Sequence, residues 1–452
     1  MIGGLSSFGP LSLDLYLPAL PHVATSLHTS DGAAQLSVSC CLAGLAAGQF
    51  VFGPLGDRFG RRRPLLVGVG LWTVAALLCA FAPTVTALVV LRLIQGFGGA
   101  AGLVLSRAVV RDLYDNEALA RAFAIVALIS NITPAVAPVA GGVLLHVMSW
   151  RGLFLVLTGT GVVLLAGTAL FLPESLPLGF RQTGSLRATG SLVRALVADR
   201  LFVRAVSALV LASAMLFIYL SLSSVILQRD YGLSTNAFSA MFAVNSVGII
   251  TAGSTTVRLL RRFPPQRLLA VGLATALTGA AGLCAAVAAS ATVWAVLPFL
   301  FICVATMGAI IPTATNLAML NHPEAAGAGS ALLGGAQYAV GGLAGPVVTL
   351  AGDTATAMSI GMVTAAGGAF GAWHGIRPGS PPGGRPGAAP GSDDSARHND
   401  DPARQLSERT RSSGWPAPAV EPGYRPAAQR GAPSSSPAAG DAGTSRHRRS
   451  FL

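Results

Sequence analysis

The chain has 452 residues, of which 52% are hydrophobic and only 11% charged, and its mean hydropathy is +0.63. A water-soluble domain carries about 25% charged residues, so this composition excludes a soluble globular protein and requires lipid as part of the solvent. The net charge of +12 invites a nucleic-acid partner. That class is excluded too, because the basic residues, all of them arginine, sit in separate short connections and in a tail rather than along one amphipathic face.

From the N-terminus, twelve apolar runs follow one another, each near the ~20 residues that cross a ~30 Å hydrocarbon layer. The first covers about 2–22 and starts almost at Met1 with no charged segment before it. This argues against a cleavable signal peptide and leaves open a few residues missing upstream. The next five are expected at about 33–53, 64–82, 85–106, 122–146 and 151–172. After a polar linker the remaining six are expected at about 203–226, 236–257, 267–289, 291–316, 327–350 and 355–375. The division that follows is an N-terminal half at 1–173, a linker at 174–202, a C-terminal half at 203–375 and a tail at 376–452. In the tail Pro, Gly, Ser, Ala, Arg and Asp dominate, too little apolar surface to order a segment, so it is expected to be disordered.

Arginines fall in alternate connections. Arg58 to Arg63, Arg107, Arg111, Arg121, Arg181 to Arg204 and Arg258 to Arg267 share one side, and the other side holds only Arg151 and Arg229. The positive-inside rule places the first set, and with an even number of spans both termini, in the cytoplasm of a multi-pass cell-membrane protein. Cys40, Cys41, Cys79, Cys284 and Cys303 all lie inside apolar runs with no C-x-x-C spacing. They read as small buried apolar residues, so no metal, disulfide or cofactor is expected.

Charged residues inside a span are costly and point to function. Asp14 stands in the first run and Arg92 in the fourth. Counted from the arginine-poor surface they lie ~12 Å and ~10 Å deep at 1.5 Å per residue, so they are expected to face each other. A carboxyl that exchanges a cation partner for another environment changes its proton affinity. Three readings follow: proton coupling, a structural ion pair, or direct substrate contact. Tyr16, Gln95, Asn131, Tyr219, Asn245 and Gln337 are candidate cavity residues, each equally able to hold a helix contact.

Two motifs carry a family resemblance. Between the second and third runs lies Gly53-Pro-Leu55-Gly-Asp57-Arg58-Phe-Gly60-Arg61-Arg62-Arg63-Pro64, read as a short basic loop. It resembles the gate signature of the major facilitator superfamily. The fifth run contains Asn131-Ile-Thr-Pro134-Ala-Val-Ala137-Pro138-Val-Ala-Gly141-Gly142. It is similar to that superfamily's antiporter motif, with Ala137 in place of the motif's first glycine. Sliding the chain by 200 residues brings Gly53, Arg58, Arg61, Arg62 and Pro64 onto Gly253, Arg258, Arg261, Arg262 and Pro264. Two halves related by an axis along the membrane normal produce such a parallel repeat. Val257 stands where the first copy has Asp57, so the halves are not equivalent.

The run Leu13-Asp14-Leu15-Tyr16-Leu17-Pro18, Arg92-Leu-Ile-Gln95-Gly96, Ser149-Trp150-Arg151 and Pro173-Glu174-Ser175-Leu176 are similar to bicyclomycin/chloramphenicol-resistance (Bcr/CflA) drug:proton antiporters. The resemblance implies an all-α integral membrane protein of twelve transmembrane helices in two six-helix pseudo-symmetric bundles, acting as a monomer. It also implies a small-molecule substrate and a proton as partners, and a gate in which Asp57 caps the eleventh span near Gly327 to Ser330 and pairs with Arg107 or Arg111. Ser6 stands where related exporters carry a second carboxylate, which leaves proton stoichiometry open. The leading reading is a proton-coupled exporter of drugs or other small hydrophobic compounds. The alternatives are a symporter importing a nutrient and a non-transporting membrane receptor. No P-loop is present for ATP-driven transport, and nothing points to an enzyme.

Overall fold

A computed structural model describes residues 1–177, 194–321, 326–352 and 354–375. The expected disordered tail, most of the linker and the residue span 322–325 lie outside the described residues. Everything described is helix or short connection. Ten helices are long and apolar enough to cross a membrane. The two other expected spans are an interrupted first segment and a 24-residue helix at Ala326–Thr349.

The first segment departs from the single helix expected at 2–22. It runs as α1 (Ile2–Ser6), α2 (Phe8–Asp14), a 3-10 turn (Leu17–Ala19) and α3 (Leu20–Ser26). Pro18 and Pro21 lack the N–H that would bond the carbonyl four residues back, so the helix cannot continue regularly past Asp14. The rest of the N-terminal half is α4 (Asp31–Phe59), α5 (Arg62–Ala80), α6 (Val85–Leu113), α7 (Asn116–Leu144) and α8 (Trp150–Phe171). The C-terminal half is α9 (Arg200–Val225), α10 (Thr235–Leu259), α11 (Pro265–Ala288), α12 (Val293–Ala305), α13 (Met307–Met319), α14 (Ala326–Thr349) and α15 (Ala355–Gly375). The expected tenth run is thus two helices that meet at Thr306, and α9 ends in a π turn over Ile226–Asp230.

The caps separate the two ends of the bundle. At the arginine-poor end Ser30, Thr84, Ser234 and Thr354 each accept the backbone N–H three residues on, opening α4, α6, α10 and α15. Hydroxyl caps satisfy the first free donors of a helix without adding charge. At the arginine-rich end the caps are acidic. Asp199 accepts from Leu201 N–H at 2.8 Å, and Glu174 serves α5. The core is contiguous through both halves. Two helix pairs join them along their length: α4 against α14 and α7 against α10.

Candidate functional site

Asp14 ends α2 and is 5% exposed. A Cβ on Gly9, in the same helix, would lie 3.7 Å from the Tyr338 hydroxyl of α14, so α2 runs against the opposite half, to which Tyr219 of α9 also belongs. Those two tyrosines sit in an aromatic wall. Tyr219 stacks on Phe242 with centroids 5.7 Å apart and accepts a hydrogen bond from Asn245 Nδ2 at 2.9 Å. Tyr338 lies 5.7 Å from Phe217. Gln337 donates to Ser213 at 2.8 Å, holding α14 to α9. The side chain of Asn131 lies outside the described residues.

Asp14 and Arg92 do not pair. Arg92 is fully buried, donates from Nη1 to Gln95 Oε1 at 2.7 Å, and lies 4.9 Å above the Tyr16 ring and 5.7 Å above Phe154. Tyr16 in turn bonds Ser37 of α4 at 3.0 Å. Similar depth along two helices says nothing of the direction in which their side chains point. The backbone break after Asp14 turns Tyr16 into the N-terminal half with Arg92, and Asp14 does not follow it there as an ion-pair partner. Nε and Nη2 of Arg92 have no hydrogen-bond partner. The cation is therefore held by aromatic faces and one amide. Gln95 accordingly belongs to the interior of the N-terminal half, as the support of Arg92.

The proline motif places α7 against both halves. Pro138 removes the helical donor of the Pro134 carbonyl, and Ser246 of α10 donates to that carbonyl at 3.1 Å. The same device recurs at Pro21, which removes the i+4 donor of the Leu17 carbonyl, where Ser224 of α9 donates at 2.6 Å. The glycine pair is required by close approach. A Cβ on Gly141 would lie 2.2 Å from the backbone oxygen of Leu15, next to Asp14, and one on Gly142 would lie 2.4 Å from Ser239 Oγ in the opposite half.

The basic motif that follows Gly53 is not a loop. Gly53, Leu55, Asp57 and Arg58 are the last two turns of α4, and the chain reverses only at Gly60, whose φ of 89° favours glycine. Asp57 accepts from Arg61 Nη1 at 2.5 Å, four residues on and across the Gly60 reversal, rather than from Arg107 or Arg111. Arg61 Nε reaches on to Asp112 Oδ2 at 3.0 Å, and Ser175 donates to the same oxygen at 3.2 Å. Glu174 receives the backbone N–H groups of Arg61 at 2.7 Å and Arg62 at 3.4 Å, so it caps α5 across a separation of more than a hundred residues. Arg62 Nη2 donates to the Ala169 carbonyl at 2.6 Å. The motif therefore knits four helix ends of one half together. Asp112 and Glu174 were missed as site residues, although Glu174 follows an apolar run on the arginine-rich side, which is where a free helix N-terminus attracts an acid. Glu174→Ala is expected to cost about 1 kcal/mol of stability, the typical value of a lost cap, read as a lower melting temperature of the purified chain in detergent.

This arrangement has known counterparts. The family model described as "Major Facilitator Superfamily" matches residues 2–346. The chain belongs to the major facilitator superfamily. It is a secondary transporter with a small-molecule substrate, from a family of transporters and not of enzymes. Over 360 residues it is 35% identical to the uncharacterized MFS-type transporter YdgK of Bacillus subtilis, covering 79% of this chain and 90% of that one. It is 27% identical to the bicyclomycin resistance protein homolog of Haemophilus influenzae, over 79% of this chain and 90% of the relative. It is 29% identical to the multidrug resistance protein MdtL of Klebsiella pneumoniae, over 59% of this chain and 70% of MdtL. Among solved structures, a D-xylose-proton symporter superposes with a TM-score of 0.63 at 16% identity, covering 83% of this chain and 96% of the symporter. At that identity the likeness concerns the fold.

Proposed function

We propose that this superfamily member is a proton-coupled exporter of drugs or other small hydrophobic or amphipathic compounds, of the bicyclomycin/chloramphenicol-resistance type. The observation that carries the reading is Asp14: a carboxyl only 5% exposed and without an ion pair among the described residues, in a segment whose Leu17 carbonyl is bonded by Ser224 of the opposite half. As the two halves rock, with 1–173 and 203–375 as the moving bodies, this carboxyl is alternately shielded and hydrated. That alternation changes its hold on a proton. The aromatic wall offers apolar area to a substrate, and few charges surround it. One chain holds both halves, so a monomer suffices.

The drug-resistance names among the relatives support the direction. The arginine-rich end is taken as cytoplasmic on the positive-inside rule. Asp57, Arg58, Arg61 and Arg62 act as a gate by stiffening the cytoplasmic end of the N-terminal half. The test is proton movement in inverted vesicles from a bacterium lacking its own drug pumps, across a panel that includes chloramphenicol and bicyclomycin. Compound-triggered proton release from the vesicle interior is expected. Silence with every compound would overturn the exporter reading while leaving the family assignment standing.

A further inference from the structure

The doubled motif is built differently in its two copies. In the first, Arg58, Arg61, Arg62 and Arg63 share their end of the bundle with Asp57, Asp112 and Glu174, and Arg61 is closed into two ion pairs. In the second, Arg258, Arg261, Arg262 and Arg267 have no such acids. Val257 stands in place of Asp57, and no Asp or Glu occurs anywhere from Tyr231 to Asn321. Asp199, at the same end of this half, is engaged by the Leu201 N–H at 2.8 Å and by Asn321 Nδ2 at 3.0 Å. All four arginines of the second copy are exposed, and among the described residues none of them is in an ion pair.

The backbone that carries them is tightly turned. α10 ends at Leu259, whose carbonyl receives the N–H groups of Arg262 and Phe263, both at 2.9 Å. Arg261 N–H bonds the Arg258 carbonyl at 3.3 Å, and Arg267 N–H bonds the Pro264 carbonyl at 3.0 Å as α11 begins. Three arginines thus leave one turn, and the fourth stands in the first turn of the next helix. Val257 and Phe263, in the same stretch, are 58% and 45% exposed. The principal contacts of α11 are with α12, α13 and α15 of its own half, so it is an outer helix of the bundle. It is also long and apolar enough to cross a membrane, and its start therefore lies where lipid headgroups meet the protein.

We propose that this turn, through Arg258, Arg261, Arg262 and Arg267, is a docking surface for anionic phospholipid. A guanidinium offers paired N–H donors to the oxygens of a phosphodiester, and no acid between Tyr231 and Asn321 competes for them. Like charges crowded on one turn repel each other, and a phosphate that bridges two of them relieves that repulsion. Val257 and Phe263 supply apolar area beside the headgroup, as in interfacial segments that combine basic and apolar residues.

The two halves should therefore differ in lipid retention although their sequences repeat. The first copy neutralises most of its positive charge with its own Asp57, Asp112 and Glu174. The second leaves that neutralisation to the membrane. Arginines that do no more than set the orientation of the chain would hold lipid alike at both copies. The surface is independent of the transport reading, because it needs neither Asp14 nor a second conformation.

The experiment is native mass spectrometry of the full chain in detergent micelles doped with equal amounts of phosphatidylglycerol and phosphatidylcholine of the same acyl chains. The quantity read is the ratio of chains carrying one phosphatidylglycerol to chains carrying one phosphatidylcholine. For the wild type that ratio is expected to exceed unity and to fall as ammonium acetate is raised, because salt screens exposed charge. Arg267→Gln alone should lower it about fivefold, the worth of one arginine near an anionic surface. Arg261→Gln with Arg262→Gln should lower it further. Arg63→Gln with Arg111→Gln removes as much exposed charge from the same end of the other half and should leave the ratio nearly as it was. A wild-type ratio of unity, or equal losses from the two halves, overturns the surface and reduces these arginines to ordinary membrane-side charges. Displacement of the bound lipid by an equal concentration of inorganic phosphate would make a free anion the occupant and overturn the lipid assignment as well. None of these results bears on proton-coupled export, which the vesicle experiment tests separately.

Discussion

Asp14→Asn is expected to abolish pH-driven transport while sparing the passive path. In inverted vesicles the variant should show no compound-triggered proton movement above vesicles lacking the chain. Downhill equilibration of a radiolabelled compound should continue. The split between the two readouts is what separates a coupling role from a structural one. Asp14 holds no ion pair or hydrogen bond among the described residues, so the isosteric amide removes a titrating group without breaking a contact. A purely structural carboxylate would lower both rates together. A carboxylate that serves mainly to bind a cationic compound would raise the concentration needed for half-maximal transport and keep the proton stoichiometry. Asp14→Glu should retain coupling in part, because the chemistry is kept and only the reach changes.

Gly141→Ala is expected to be the most damaging single methyl group in the proline–glycine motif of α7. Its Cβ would meet the Leu15 backbone oxygen at 2.2 Å, and backbone cannot rotate aside as a side chain can. Overpacking of this kind costs about 1–3 kcal/mol. The strain falls on the peptide that follows Asp14, so both the melting temperature and the pH-driven flux should fall. Gly142→Ala is the control. Its Cβ would meet the hydroxyl of Ser239 at 2.4 Å, which a rotamer change relieves, so stability should drop less. Equal losses in both variants would mean that α7 shifts as a body and that the approach to Leu15 is not specific. Normal flux in Gly141→Ala would remove the proposed link between this helix and the deep carboxyl.

The spans were legible because a hydrocarbon layer imposes one length and one composition on any helix that crosses it. Most predicted runs differ from the observed helices by a few residues, as with 85–106 against Val85–Leu113 and 267–289 against Pro265–Ala288. The exceptions have local causes. Glycines and a proline in Gly53–Arg63 read as a turn, yet α4 carries through Pro54 to Phe59 because its neighbours hold it, and only the left-handed Gly60 reverses the chain. The first run reads as an unbroken apolar helix, and its two prolines after Asp14 break it. The tenth carries Pro298 and Pro312, and its two helices meet at Thr306 between them.

Amino-acid order alone determined that this chain spans a membrane many times, that its arginines fall in alternate connections, that it contains a doubled motif, and that Asp14 and Arg92 stand inside apolar runs. Those conclusions depend on transfer free energy and count, which are properties of a segment. Which way a buried side chain points depends on where the backbone breaks and on what the neighbouring helix offers. Only the tertiary structure could therefore send Arg92 to Tyr16 and Phe154, leave Asp14 without that partner, bring Glu174 onto the first turn of α5, and set Arg229 against Asp31. Contacts between residues more than a hundred positions apart leave no periodic trace in a single chain, because their geometry is decided by packing.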